Sequence, residues 1–102
     1  MAWISERVRR RVQAEFPDHP SLVIAALAGL TADVFPGEVR DSVAVERIQV
    51  AAILLAEGNL SKLNDEILLG RQDWRDLLVA AGLADEDWRE KLDAELAPWD
   101  VV

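Results

Sequence analysis

The sequence has no cysteine and no tyrosine, and its 102 residues include a single histidine, His19. Without cysteine the chain cannot form a disulfide framework or a thiolate metal site. It also has no glycine-rich loop to cradle a phosphate. A catalytic site gathers a nucleophile, a base and a charge-stabilising group in one pocket, and these residue types are nearly missing. The sequence therefore predicts no catalytic residue, no bound metal and no cofactor.

His19 lies between Pro17 and Pro20, where the two prolines predict a loop. No second histidine and no Glu-x-x-His pair accompany it, so a metal site is not indicated. Ser21 is close in sequence, but nothing nearby indicates the strained turn and oxyanion hole of a serine hydrolase. We interpret His19 as an exposed loop residue.

Cations are also scarce, because 19 acidic residues face 11 basic ones and the formal net charge is −8. This balance disfavours binding to nucleic acid or to an anionic membrane, since both require a cationic surface. The longest uncharged run, residues 20–32, is shorter than the roughly 20 residues that a membrane-spanning helix needs. It could belong to a signal peptide, but Glu15 and Asp18 interrupt the approach to it. A cytoplasmic domain is the better interpretation.

Apolar residues, in contrast, are abundant, at 51% of the chain. That share is enough to fold a chain of this length as one domain, residues 1–102. Apolar positions recur every three or four residues, and no alternating β-branched run competes with them. The sequence predicts an all-α fold, a compact bundle of five or six short helices with a central helix at about 42–57.

Three helices are predicted in the first half. Residues 3–16 form the first, and Ser21 caps the second, whose apolar positions end at Val34. The opposite side of the second helix is small, which lets another helix approach closely; its residues are Ala25, Ala28, Gly29 and Ala32. The third helix begins near Asp41 or Ser42. It is apolar nearly all round and therefore central, with Ile48, Ala52 and Leu55 expected to be buried.

The second half contains two or three more helices. Asn59 is the predicted cap of the fourth. The helical spacing of apolar residues continues through Gly70, which would indicate one long helix. Asp73 followed by Asp76 resembles a capping pair, however, so we favour two helices, the second beginning at Asp73. Gly82 ends the fifth helix and residues 85–87 start the sixth. The repeated Asp-Trp-Arg at 73–75 and 87–89 is interpreted as two helix starts rather than a binding motif.

The chain ends carry the candidate interaction surface. Arg7, Arg10 and Arg11 share one side of the first helix, whereas residues 73–100 hold nine acids and three bases. The last helix has an apolar side that must dock on something, since so short a helix is marginal alone. We predict that the two terminal helices touch, within one chain or between two, with a slight preference for a homodimer. The residues of this surface are Trp3, Arg7, Arg10, Arg11, Trp88, Leu92, Leu96 and Trp99.

Three stretches of the sequence also suggest a resemblance: Glu-Arg-Ile at 46–48, Glu-Gly-Asn at 57–59 and the run Asp-Trp-Arg-Asp-Leu-Leu-Val-Ala-Ala-Gly at 73–82. The chain is similar in these stretches to short, acidic, all-helical bacterial proteins that have no assigned activity. The resemblance implies a bacterial cytoplasmic helical protein and assigns no role to any residue.

The favoured function is a non-enzymatic protein-interaction module, an accessory or regulatory subunit able to associate with itself or with another protein. Four tryptophans support it, because tryptophan is enriched at protein interfaces. The alternative is a small enzyme or ligand carrier that uses carboxylates in a pocket between helices. A third hypothesis is an acidic mimic of nucleic acid that binds a basic protein. Acids that converge in an apolar cleft would favour the second hypothesis.

Overall fold

Helices account for most of the chain that the computed structural model describes, residues 3–34 and 42–100. This part contains six α-helices followed by a 3₁₀ turn, and no strand, so the predicted all-α bundle is confirmed. Their bounds are α1 Glu6–Glu15, α2 Pro20–Val34, α3 Ser42–Ala56, α4 Leu60–Gln72, α5 Trp74–Ala81, α6 Trp88–Leu96 and the 3₁₀ turn Ala97–Trp99. No helix in these two ranges is long and apolar enough to cross a membrane.

The centre of the bundle is α3, as predicted, and every other α-helix packs against it. Ile48, Ala52 and Ile53 are fully or almost fully buried. Leu55 is only half-buried, so the expectation of full burial was wrong there. The last turn of α3 is covered on the side of Ile53 and Ala56 and partly open on the side of Leu55.

The first helix is shorter than predicted, because it begins at Glu6 and not at residue 3. The Ser5 side chain accepts a hydrogen bond from the amide of Val8, 3.3 Å away, and so satisfies a first-turn N–H group. Trp3 and Ile4 precede this cap outside the helix. The apolar spacing therefore predicted the helix itself, but it extended the helix too far toward the N-terminus.

The predicted break between the fourth and fifth helices is present, with Asp73 as the predicted cap of α5, but α4 continues through Gly70 to Gln72 instead of ending near residue 69. The Asp73 carboxylate accepts a hydrogen bond from the amide of Arg75 at 3.0 Å and begins α5. Gly70 is buried inside α4, where a Cβ atom would lie 3.0 Å from Leu30 Cδ1 and 3.1 Å from Leu77 Cδ2. Glycine at this position therefore serves close packing of α2, α4 and α5.

The remaining helix ends follow the predictions in part. Asn59 caps α4 by accepting from the Lys62 amide at 3.0 Å, and Gly82 ends α5 with a φ of 77°. The start of α6 differs from the prediction, because the Asp87 side chain makes no capping hydrogen bond. Asp85 and Asp87 instead hold the Lys91 ammonium group, at 3.1 and 3.4 Å. These acids thus bind a cation one turn into the helix.

Candidate interaction surface

The two ends of the chain meet within one molecule. Arg7 Nη1 lies 3.2 Å from Asp93 Oδ1, and Arg10 Nη1 donates to the Trp99 carbonyl at 3.3 Å. Arg11 Nη1 donates to the Glu95 carbonyl at 2.8 Å. The predicted contact between the terminal helices is therefore present, and it is intramolecular. The arginines that favoured a homodimer at this place already have their partners in the same chain.

The main polar contact of this region pairs Arg7 with Glu46 of α3, and Glu46 is only 5% exposed. Arg7 Nε lies 2.7 Å from Oε2 and Nη2 lies 2.8 Å from Oε1, so both carboxylate oxygens are engaged. The Ser5 hydroxyl also donates to Oε2, at 2.6 Å. Buried carboxylates need such partners, because their hydration is lost. The hydrogen bond to Glu46 is also the main cause that raises the pKa of Arg7 above its ordinary value.

Arg11 is buried, at 7% exposure, whereas Arg7 is partly exposed. Its guanidinium group donates to the carboxylates of Glu15, one turn along α1, and of Glu95 on α6. It also lies 5.1 Å from the centre of the Trp99 ring, close enough for a cation–π contact. Arg11 thus fastens the C-terminal turn to α1 through both charge and an aromatic face.

Trp3 lies in the short extended segment before α1, so its predicted place on a terminal helix was wrong. Its carbonyl accepts a hydrogen bond from Gln49 Nε2 at 2.7 Å, and Gln49 is fully buried. The other amide atom, Gln49 Oε1, has no hydrogen-bond partner within the described ranges. The backbone of Trp3 is therefore anchored to α3, while its ring remains partly exposed beside α2.

The apolar side of α6 is divided between core and surface. Leu92 and Leu96 are fully buried, because α6 docks on α1 and α3. They belong to the core, so their inclusion in an interaction surface was wrong. Trp88 is half-buried, with the guanidinium groups of Arg47 and Arg89 at 4.3 and 5.2 Å from its ring centre. Burial lowers the pKa of Arg47.

Two residues that organise this region were not identified from the sequence. Glu46 and Gln49 are the buried polar residues of α3, and they hold Arg7 and Trp3 respectively. Their spacing is a signal that could have found them. They lie three apart, on one face of a helix that is otherwise largely apolar, and polar residues on such a face need polar partners.

A different surface is left open along α2. Leu22 is 63% exposed, Ser21 and Ala25 are exposed, and a Cβ atom added at Gly29 would have no neighbour within 4 Å. Helical spacing places these positions on one side, opposite the buried Val23, Leu27 and Leu30. We call this side the α2 face; its residues are Ser21, Leu22, Ala25, Ala28, Gly29 and Ala32.

The small residues of this side were predicted to let a second helix approach closely. Within residues 3–34 and 42–100 no helix does so, since Ala25 is exposed and the space beside Gly29 is open. The extended segment before α1 borders the face instead. Together they form a groove of about 490 Å³ lined by Trp3, Ile4, Arg9, Ser21, Ile24, Ala25 and Ala28.

A charged pair lies at the edge of the groove. Arg9 lines the groove and is partly exposed, and its Nε lies 3.4 Å from Oε1 of the exposed Glu6, which lines the neighbouring depression. The floor, in contrast, consists of uncharged α2 side chains, among them the half-buried Ile24. An apolar floor with a polar rim is the usual anatomy of a protein-binding surface.

The carboxylates do not converge in an apolar cleft. Glu46 borders a depression of about 460 Å³ that is also lined by Ser5, Arg7, Ser42 and Asp100, which are polar or charged. His19 is exposed in the loop between α1 and α2, as predicted. The part of the chain that the structure describes contains no group of three acidic or histidine side chains able to hold a metal ion.

Comparisons of the chain with models of protein families, with curated protein sequences and with solved structures find no match.

Proposed function

We propose that this protein is an interaction module that binds an apolar helix in the groove along α2. The observation that carries the proposal is the uncovered α2 face, where Ala25 and Ala28 line a groove together with Trp3 and the exposed Leu22 lies on the same side of the helix. Exposed apolar side chains that adjoin in this way are typical of surfaces that another molecule covers. A helix that lays its apolar side in a groove is a common mode of protein recognition.

The groove is held in shape before any partner arrives. Its outer wall, residues 3–5, is fixed to α3 by the hydrogen bonds of Gln49 to Trp3 and of Ser5 to Glu46. Its floor is one face of a fifteen-residue helix whose other side is core. A preformed site loses less conformational entropy on binding, so this rigidity favours affinity.

The carboxylate-based alternative, an enzyme or ligand carrier, receives less support. Glu46 is the most buried carboxylate among the described residues, and both of its oxygens are engaged by Arg7 and Ser5. An acid or base in catalysis needs an oxygen within reach of the substrate. The nucleic-acid mimic is also less favoured, since the acids of α4 and α5 are interspersed with Lys62, Arg71 and Arg75.

Site-specific crosslinking tests the proposal. A photoreactive side chain is placed at Ala25 on the α2 face, or at Gln13 on the exposed side of α1, in the full chain inside the source cell. We expect a discrete crosslinked protein from position 25 and none from position 13. Adding Leu22→Glu to the position-25 protein should abolish that product, because it puts a charge on the apolar surface.

Equal patterns from positions 13 and 25, or no product from position 25, would overturn the assignment of the α2 face. Circular dichroism of each purified variant checks that the helical content is unchanged, so that a lost product reports binding and not unfolding.

A further inference from the structure

We infer that the molecule covering the α2 face is a second copy of this chain, bound through its own α2 face. The inference rests on the proposed function and names the partner. The charge distribution, the shape of the face and the composition of its rim all bear on the choice.

The charge distribution favours a contact along α2. In a two-fold symmetric contact a residue close to the axis meets its own copy, so a charged side chain at the centre would meet a like charge. This restriction is severe for a chain of net charge −8. Among the six described helices, only α2 has a long uncharged stretch, from residue 20 to 32. Two copies can therefore approach along this helix without opposing their acids.

The shape of the α2 face also suits a contact between two copies. Ala25, Ala28 and Gly29 present little side-chain volume, so the backbone of a second helix can approach closely. Leu22 projects near one end of the face, 63% exposed. When two such helices cross about a two-fold axis, the projecting leucine of each copy can reach the groove beside the small residues of the other. The same surface then supplies both the protruding and the recessed part of the contact.

The edge of the groove also carries a charged pair, in which Arg9 of the groove lining contacts the adjacent, exposed Glu6. A rim with one cation and one anion is complementary to a rotated copy of itself, because the cation of each molecule can meet the anion of the other. A rim of one sign would repel its copy.

The size of the face sets the expected strength. A helix of fifteen residues is about 22 Å long, so one face of it is small beside the roughly 800 Å² per partner that stable complexes bury. The dimer should therefore be weak and concentration-dependent.

Sedimentation velocity of the full chain, from low micromolar to several hundred micromolar, tests this inference at physiological salt. We expect wild-type protein to shift from monomer to dimer with concentration. Ala25→Glu should raise the dissociation constant by about tenfold or more, because two carboxylates then face each other across the contact. The matched control is Gln13→Glu, which adds the same charge on the exposed side of α1 and should leave the dimer unchanged.

A mixing experiment separates a symmetric contact from an indirect effect. Ala25→Glu and Ala25→Lys should each be monomeric alone, and an equimolar mixture should form a heterodimer, because opposite charges then meet. A mixture that stays monomeric, or a wild-type protein that is monomeric throughout, would overturn the inference. If position 25 still crosslinks to a different protein in the cell, the proposed function stands while the second copy is excluded as the partner. A dimer unaffected by Ala25→Glu would place the contact away from the α2 face and overturn the inference, whereas the proposed function fails only if position 25 gives no specific crosslink.

Discussion

The bundle is held together by two kinds of interface that lie side by side. Where α3 meets α4 and α5, the buried side chains are aliphatic, among them Ile53, Leu63 and Leu77. Where α1 meets α3 and α6, buried apolar side chains such as Val8, Val12 and Leu92 are joined by Arg7 and Arg11 with their carboxylate partners. Both interfaces gain stability by removing apolar surface from water, and the second must in addition satisfy charges that folding has partly desolvated.

This difference shows how the chain fixes its ends. Apolar contacts are tolerant of position, whereas a guanidinium group with a bidentate carboxylate partner accepts few geometries. Arg7 reaches α3 through Glu46 and the C-terminal region through Asp93 and Asp100. One side chain thereby links three parts of the molecule, α1, α3 and the C-terminal region.

The largest effect is expected on the apolar side of the comparison. Ile53→Ala removes a fully buried side chain from α3 and should lower the free energy of unfolding by about 2–5 kcal/mol. Urea unfolding followed by circular dichroism measures it. Val79→Ala, at a position 67% exposed on α5, is the matched control and should change stability little. A loss from Ile53→Ala no greater than the control's would show that α3 is not the centre of the core.

The polar interface should respond next most strongly. Glu46→Ala leaves Arg7 with only exposed acids as partners, so we expect a loss of about 1–3 kcal/mol, discounted for the partial exposure of Arg7. The double variant with Arg7→Ala should lose less than the sum of the two single variants, because each single variant leaves a charge without its partner. Asp65→Ala, an exposed acid on α4, serves as control. If the stability losses of the two single variants add up to that of the double variant, the Arg7–Glu46 pair contributes no interaction energy of its own.

The two glycines inside helices sharpen the contrast between covered and open surface. Gly29→Ala adds a methyl group into open space and should stabilise the protein by about 0.5–1 kcal/mol, since alanine favours the helix. Gly70→Ala should instead destabilise by roughly 1 kcal/mol, because Leu30 and Leu77 are fully buried and have little room to move. Thermal unfolding of both variants gives the signs. Equal stabilisation by both would show that the packing around Gly70 is loose.

The smallest effect concerns Lys91, an exposed cation at the start of α6. Hydrogen bonds from its ammonium group to Asp85 and Asp87 raise the pKa of Lys91 above its ordinary value. A raised pKa contributes stability below the unfolded-state pKa, and that contribution is lost as the pH rises through the folded-state pKa. The side chain is exposed, so the change in stability should be slight. NMR titration should show the pKa falling toward the ordinary value in Asp85→Asn, and an unchanged titration would exclude the pairing.

Much of the fold was predictable because helix periods and caps are local properties. The all-α class, the central α3 and the caps at Asn59 and Gly82 follow from spacing and residue type alone. The errors arose where a distant residue decided the outcome. Gly70 resembled a helix end, but its position opposite Leu30 keeps it inside α4. Ile4 fitted the helical stripe, but the Ser5 cap begins the helix after it, and the hydrogen bond from Gln49 ties the neighbouring Trp3 to α3.

The candidate surface divides in the same way. The sequence by itself determined that the arginines of α1 and the acids of the C-terminal third would attract, because opposite charges on the two ends of a chain need no particular fold to do so. It also determined that α2 carries a small, uncharged side, since helical spacing alone places those residues together. Only the tertiary structure decided that the arginines are satisfied within one chain, through Glu46 of the central helix, and that the small side of α2 stays uncovered by the described residues. Both outcomes depend on which elements lie next to each other, and packing between residues distant in sequence decides that.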